Sequence, residues 1–229
     1  MKFAVLFGLQ ALLLAWAAAS WGGFCGAVCL WASASFAAVA CAYGLRRPQW
    51  FGKGPGGRLS AWHKAFLAPF LAVLWGTWHA IRLTERQAAF HRTHPRLLVA
   101  RRLLGKEVPQ GVTHVIDLTC EFDEPQAVRE GRRWLPVGCL DACAPPTEPL
   151  LAALQATLDD PTSVTLIHCA QGHGRTGTAA ALWLGMAGLA STPQQALHML
   201  QAARSGIKLS AAQHTFLEDT WERALSNRS

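Results

Sequence analysis

No acidic residue occurs in this chain before Glu85, and two uncharged apolar stretches fill most of the sequence ahead of it. Phe3 to Trp21 is about one bilayer thickness of apolar chain, and after Gly22-Gly23 a second stretch runs from Phe24 to Leu45. Two stretches of that length joined by a glycine turn are expected to form a transmembrane helical hairpin; a pair of buried soluble core helices is the blander option. Seven of the ten Trp fall in the first 78 residues, several of them, such as Trp21 and Trp50, at stretch ends where membrane interfaces favour them. Lys2 and Ala17-Ala18-Ala19 also fit a cleaved signal peptide. The run is longer than a typical signal core, however, and a second span comes at once, so residues 1–19 are read as retained.

Charge divides the chain in the same way. Lys2, Arg46, Arg47, Lys53, Arg58, Lys64 and Arg82 account for the whole formal +7, because the chain after residue 84 holds 14 basic and 14 acidic side chains. With 51% hydrophobic residues the chain is not a disordered one. The basic excess belongs to the apolar segment and not to a stripe on a folded domain, which argues against a nucleic-acid partner. The positive residues after the second stretch place that loop on the cytoplasmic side. Residues 65–81 form a third apolar stretch, broken by Pro69 and basic at both ends, as expected of a segment lying in the interface or dipping in and returning. A full crossing there would move the downstream domain to the other side. The expected organisation is a hairpin over 1–45, a basic loop and interfacial segment over 46–92, and a catalytic domain over 93–229.

That last region alternates strand and helix patterns. Leu97–Ala100, His114–Thr119, Arg133–Val137 and Ser163–His168 read as strands; Thr147–Leu158 and Thr176–Leu189 read as helices, with two more beginning near Pro193 and Ser210. The alternation predicts an α/β fold, a central sheet flanked by helices, with a ligand loop at a strand's carboxyl end.

Residues 168–177, His-Cys-Ala-Gln-Gly-His-Gly-Arg-Thr-Gly, carry the chemistry. A cysteine closes a buried strand, and a tight loop leads into a helix. The loop amides of Ala170, Gln171, Gly172, His173, Gly174 and Arg175 then converge on one point and form a nest for a dianion. That field is expected to favour the thiolate of Cys169. Gly172 and Gly174 permit the close approach, and Arg175 can grip two phosphate oxygens through its planar fork.

This segment matches the Cys-x5-Arg signature of the cysteine-dependent phosphatases, and the chain resembles their dual-specificity branch over roughly residues 93–225. The resemblance includes Val115-Ile116-Asp117-Leu118 as an early core strand and Leu135-Pro136-Val137…Asp141…Pro145-Pro146 as the acid loop. It implies a cysteinyl-phosphate mechanism, with Cys169 as nucleophile and Arg175 and the loop amides holding the equatorial oxygens. By the same resemblance Thr176 helps the sulfur leave, and His168 is a buried support of the loop. No metal or other cofactor is expected, since the cradle supplies the positive field. The leaving oxygen needs a proton from another loop, and Asp141 matches the acid position. Asp117, Glu121 and Asp123 are the rivals; Asp117 reads as structural, and the Glu121–Glu124 cluster as a solvated loop.

The expected function is a membrane-anchored phosphomonoester hydrolase of the protein-tyrosine or dual-specificity type. A lipid phosphatase, similar in plan to the membrane-linked bacterial relatives of the mitochondrial-type phosphatidylglycerophosphate phosphatases, is the alternative. A membrane-tethered phosphate-binding pseudophosphatase is the reading from another class. Ala170, Gln171 and His173 stand where phosphoinositide phosphatases often carry lysines, which disfavours polyphosphorylated inositols. Phosphoprotein or phospholipid is therefore the expected partner, at a bacterial inner membrane with the catalytic domain cytoplasmic. Oligomeric state and a redox role for Cys120, Cys139 and Cys143 stay open.

Overall fold

Lys2–Trp21 (α1) and Gly23–Gly44 (α2) are helices separated only by Gly22, which sits at a positive φ that a side chain would strain. Their close approach is visible at Gly26, where an added methyl would lie 2.8 Å from the Ala18 carbonyl. Ser33 on α2 donates to the Ala11 carbonyl at 2.8 Å, satisfying a hydroxyl among apolar neighbours. A 3-10 turn over Pro48–Phe51 leads to a third helix, Ala61–Thr84 (α3), capped by Ser60, whose Oγ accepts from the His63 amide. α3 is longer than the apolar stretch 65–81 and runs through Pro69. Phe70 meets Phe7 and Phe36 edge to face, and Phe7 tilts against Phe36, so the three rings join the three helices. By length and composition each of the three is able to cross a membrane.

The computed structural model describes residues 2–226 and divides into two units, Met1–Glu85 and Arg86–Ser229. The second unit is built on a five-stranded sheet: Phe90–His94 (β1), Leu97–Arg101 (β2), His114–Thr119 (β3), Arg133–Cys139 (β4) and Thr165–Cys169 (β5), in the order β1-β2-β5-β3-β4. β1 is antiparallel to β2, and the other pairings are parallel. Its helices are Gln126–Arg129 (α4), Thr147–Leu158 (α5), Gly174–Met186 (α6), Pro193–Ala203 (α7) and Ala211–Ser226 (α8).

Side chains alternate across the sheet as a pleat requires. Leu97 and Val99 of β2, Ile116 and Leu118 of β3, and Ile167 and Cys169 of β5 face the larger core with α5 to α8. Leu98, Ala100, Val115 and Leu166 face a smaller cluster on the other side with Val128 of α4. Every residue of α6 from Arg175 to Met186 is buried, as a helix must be when α5, α7 and α8 surround it. The central strand β5 therefore delivers Cys169 to the carboxyl edge of the sheet, directly before the most enclosed helix.

Candidate active site

Loop 169–175 is shaped by the groups that grip its outer side. The carbonyl of Ala170 accepts the Arg102 amide at 3.2 Å. Arg204, fully buried at 1% exposure, donates to the Gly172 carbonyl at 3.0 Å and to the Gln171 carbonyl at 3.1 Å. Carbonyls held outward leave the loop amides turned toward the centre, and the Gly172 amide donates to Cys169 Sγ at 3.2 Å. Gly172 has φ +73°, and a methyl there would lie 2.5 Å from the Ala100 and Arg101 backbone, so only glycine fits. The sequence motif carries no sign of Arg204, which comes from the end of α7, 35 positions beyond Cys169.

Arg175 is also buried, and its guanidinium is almost fully engaged. Nη1 donates to the Leu118 and Cys139 carbonyls at 3.2 and 2.8 Å, and Nη1 and Nη2 together hold the Glu121 carboxylate at 3.1 and 2.7 Å. Nε faces Asp141 Oδ1 at 3.2 Å. Burial alone would lower the Arg175 pKa, but Glu121, Asp141 and Cys169 outweigh it, and the net shift is well upward. Burial would likewise raise Glu121; the facing Arg175 outweighs it and holds the carboxyl below its usual range.

This corrects the reading of Glu121–Glu124 as a solvated loop. Glu121 and Glu124 are 6% and 2% exposed. An acidic run after a strand is ordinarily a solvated turn; here the buried Arg175 draws Glu121 inward, and Glu124 packs beside the buried His168. Asp117 is structural, in keeping with its place in a strand pattern: Oδ1 accepts the Thr119 amide and hydroxyl at 2.9 and 2.7 Å.

Asp141 is more than half exposed and lines a cavity of about 490 Å³ together with Cys169, Gln171, His173 and Gly174. Its loop is tied down by α8's start: Ser210 Oγ donates to the Ala142 carbonyl at 2.8 Å, and Gln213 Nε2 to the Cys143 carbonyl at 3.4 Å. Ala142 takes a positive φ of 55°, a conformation an alanine adopts only where its neighbours impose it. The two loops that bear Cys169 and Asp141 are thus fastened to one segment, residues 204–213.

Thr176 is buried, and its hydroxyl lies 3.5 Å from the Ala100 carbonyl. His168 is fully buried with Nε2 3.4 Å from Glu124 Oε1 and 3.8 Å from Asp117 Oδ1, beneath the loop and away from the cavity lining. Asp117, Glu124 and His168 have ligand atoms within 4.8 Å of one another. Asp117 Oδ1 is already engaged by Thr119, and the arrangement fits an imidazole set between carboxylates better than an open metal site. Cys120 and Cys139 flank Glu121 and Arg175; burial pushes both thiols up, so they stay protonated, with Cys120 donating to Glu121 Oε2 at 3.4 Å. Among the described residues the cysteines form no disulfide.

The phosphatase domain of the Swiss Army Knife protein, of DSP-PTPase type, matches residues 99–223 as a family model. No curated protein matches the chain. Among solved structures, PTPMT1 in complex with PI(5)P superposes with a TM-score of 0.55 at 18% identity, covering 62% of this chain and 99% of that one. The active form of Tk-PTP gives 0.53 at 25% identity, over 59% and 97% of the two chains. A mouse putative dual specificity phosphatase complexed with zinc tungstate gives 0.51 at 19%, over 62% and 91%.

Proposed function

From the premise that this chain belongs to the cysteine-dependent phosphatases of dual-specificity type, its family match extending over more than half its length, we propose that it hydrolyses a phosphomonoester borne by a membrane lipid. The observation that carries the reaction is the opening of Cys169 and Asp141 onto one cavity, with Arg175 held between them. Cys169 Sγ attacks phosphorus as the bond to the leaving oxygen breaks, and the loop amides hold the equatorial oxygens. Glu121 occupies one edge of the Arg175 guanidinium, which leaves Nε and the outer Nη2 hydrogen for phosphate. A phosphate oxygen arriving at Nε displaces Asp141 from that position, and the exposed carboxylate, having taken a proton from solvent, protonates the leaving oxygen. Water then attacks the cysteinyl-phosphate, giving up a proton to the Asp141 carboxylate as the sulfur–phosphorus bond breaks with help from the Thr176 hydroxyl. His168 keeps the loop in place from below.

Lipid is favoured as the substrate carrier because α1, α2 and α3 are apolar enough to hold the chain at a bilayer. Among its structural neighbours, PTPMT1 was captured with PI(5)P. With α3 lying along the bilayer and not crossing it, the positive residues 46–64 and the basic residues after α3 share the cytoplasmic face, as at a bacterial inner membrane. The second reading, a protein-tyrosine or dual-specificity phosphatase, draws on a cavity large enough for an aryl phosphate. Full-length protein in mixed micelles, given phosphatidylglycerophosphate, phosphatidate and a phosphotyrosine peptide at matched concentrations, separates the two. Turnover confined to the peptide would overturn the lipid reading, and no turnover on any of them would leave a phosphate-binding module.

The acid assignment has its own test. Asp141→Asn should lower kcat about 10²- to 10⁴-fold on alkyl phosphate esters, the range of a lost general acid. The loss should be far smaller on nitrophenyl phosphate, whose leaving group departs without a proton. Equal losses on both would remove Asp141 from that role.

A further inference from the structure

The segment that braces the loop also presents a charge to the cavity. Ile207 and Leu209 are buried, packed so closely on Gly177 of α6 that a methyl there would lie 2.7 Å from Ile207 and 3.0 Å from Leu209. With both neighbours anchored inward, Lys208 is turned outward; it is exposed and lines the same cavity as Cys169 and Asp141. Among the described residues of that lining, Lys208 is the one with a permanent positive charge, the other titratable groups being Asp141, Cys169 and His173. Ser210 and Gln213 share the wall, where α8 begins with no acidic residue in its first turn, so the helix end adds to the lysine's field.

The scissile phosphate does not call for this charge. Its dianion is matched by the loop amides and by Arg175, and no lysine stands within the loop itself. We infer that Lys208 is a specificity-determining residue that binds a second, singly charged anionic group of the substrate: the phosphodiester of a phospholipid whose headgroup ends in the scissile phosphomonoester. The inference rests on the lipid reading above and narrows it. A phosphodiester carries one negative charge, and the compact ammonium on a flexible stem suits an anion set at a distance from the reacting phosphorus. A lipid monoester without a diester, such as phosphatidate, leaves Lys208 unmatched. An acidic peptide flanking a phosphotyrosine is the competing occupant.

The test compares wild type with Lys208→Gln and Lys208→Arg in mixed micelles, on phosphatidylglycerophosphate, which has the diester, and on phosphatidate, which lacks it. In Lys208→Gln the ratio of kcat/KM between the two lipids should fall about tenfold, the worth of one charge-assisted contact. The loss should lie in KM on the diester lipid, with kcat little changed, and it should shrink as salt is raised. Lys208→Arg should restore most of the ratio. An unchanged ratio in Lys208→Gln, with the wild type active on lipid, would overturn the role of Lys208 and leave the lipid reading standing. A wild type inactive on both lipids but active on acidic phosphotyrosine peptides would overturn both.

Discussion

Cys169→Ser is expected to abolish phosphate release, by about 10⁴-fold or more, while the protein keeps its fold and its affinity for phosphate. The substitution exchanges one buried atom at the end of β5 and leaves the backbone cradle, Arg204 and Arg175 untouched. A serine hydroxyl would need a base to activate it. His168 is buried beneath the loop against Glu124, and Asp141, the proposed acid, faces Arg175 Nε, so neither is placed to take the serine's proton. Phosphate or tungstate binding, measured by calorimetry, should therefore be retained when turnover is gone. Turnover within tenfold of the wild type would exclude a cysteinyl-phosphate route.

Glu121→Ala should be nearly as damaging, through a different cause. It strips the carboxylate from both terminal nitrogens of a guanidinium that is otherwise out of water, and breaking a buried pair in this way costs about 3–5 kcal/mol of stability. The freed Arg175 also loses the orientation that leaves Nε for phosphate, so kcat should drop about 10²- to 10³-fold, as for other lost oxyanion contacts. Glu121→Gln keeps the shape without the charge and should fall between. The pH dependence carries a sign. Because Arg175 depresses the Glu121 pKa in the folded protein, the pair's contribution is complete above the ordinary glutamate range and is lost as pH falls through the depressed value. The wild type should thus lose stability on acidification below about pH 4.3, the usual glutamate value, and Glu121→Ala should lack that component. A Tm and kcat equal to the wild type's would show that Arg175 does not depend on Glu121.

The strands and helices that hold the nucleophile are legible in the sequence because each repeats a simple pattern. His114–Thr119 and Thr147–Leu158 fall where periodicity sets them. β5 begins two residues later than expected and ends on Cys169 itself. β1 has no such pattern: Phe-His-Arg-Thr-His is polar and only half buried, and the free edge of β2 is what makes it a strand. The loop that grips phosphate is local in sequence and can be read there. Its supports are not. Glu121 and Arg204 lie 48 residues before and 35 after Cys169, and their types alone say nothing of burial. A buried charge reveals itself only when the topology has brought its partner, and β3, β4 and α7 do that only in three dimensions.

One stretch of chain, residues 204–213, braces the nucleophile's loop through Arg204, fastens the acid loop through Ser210 and Gln213, and contributes Lys208 to the cavity. Evolutionary divergence among relatives is constrained by that sharing. An insertion or deletion between Arg204 and Gln213 would shift both reacting groups at once, so its length is expected to be held fixed while single exposed positions drift. A new substrate preference can then arise by exchange of Lys208 without rebuilding the chemistry, and chains of this architecture should differ in residue type at that position far more readily than in the spacing around it.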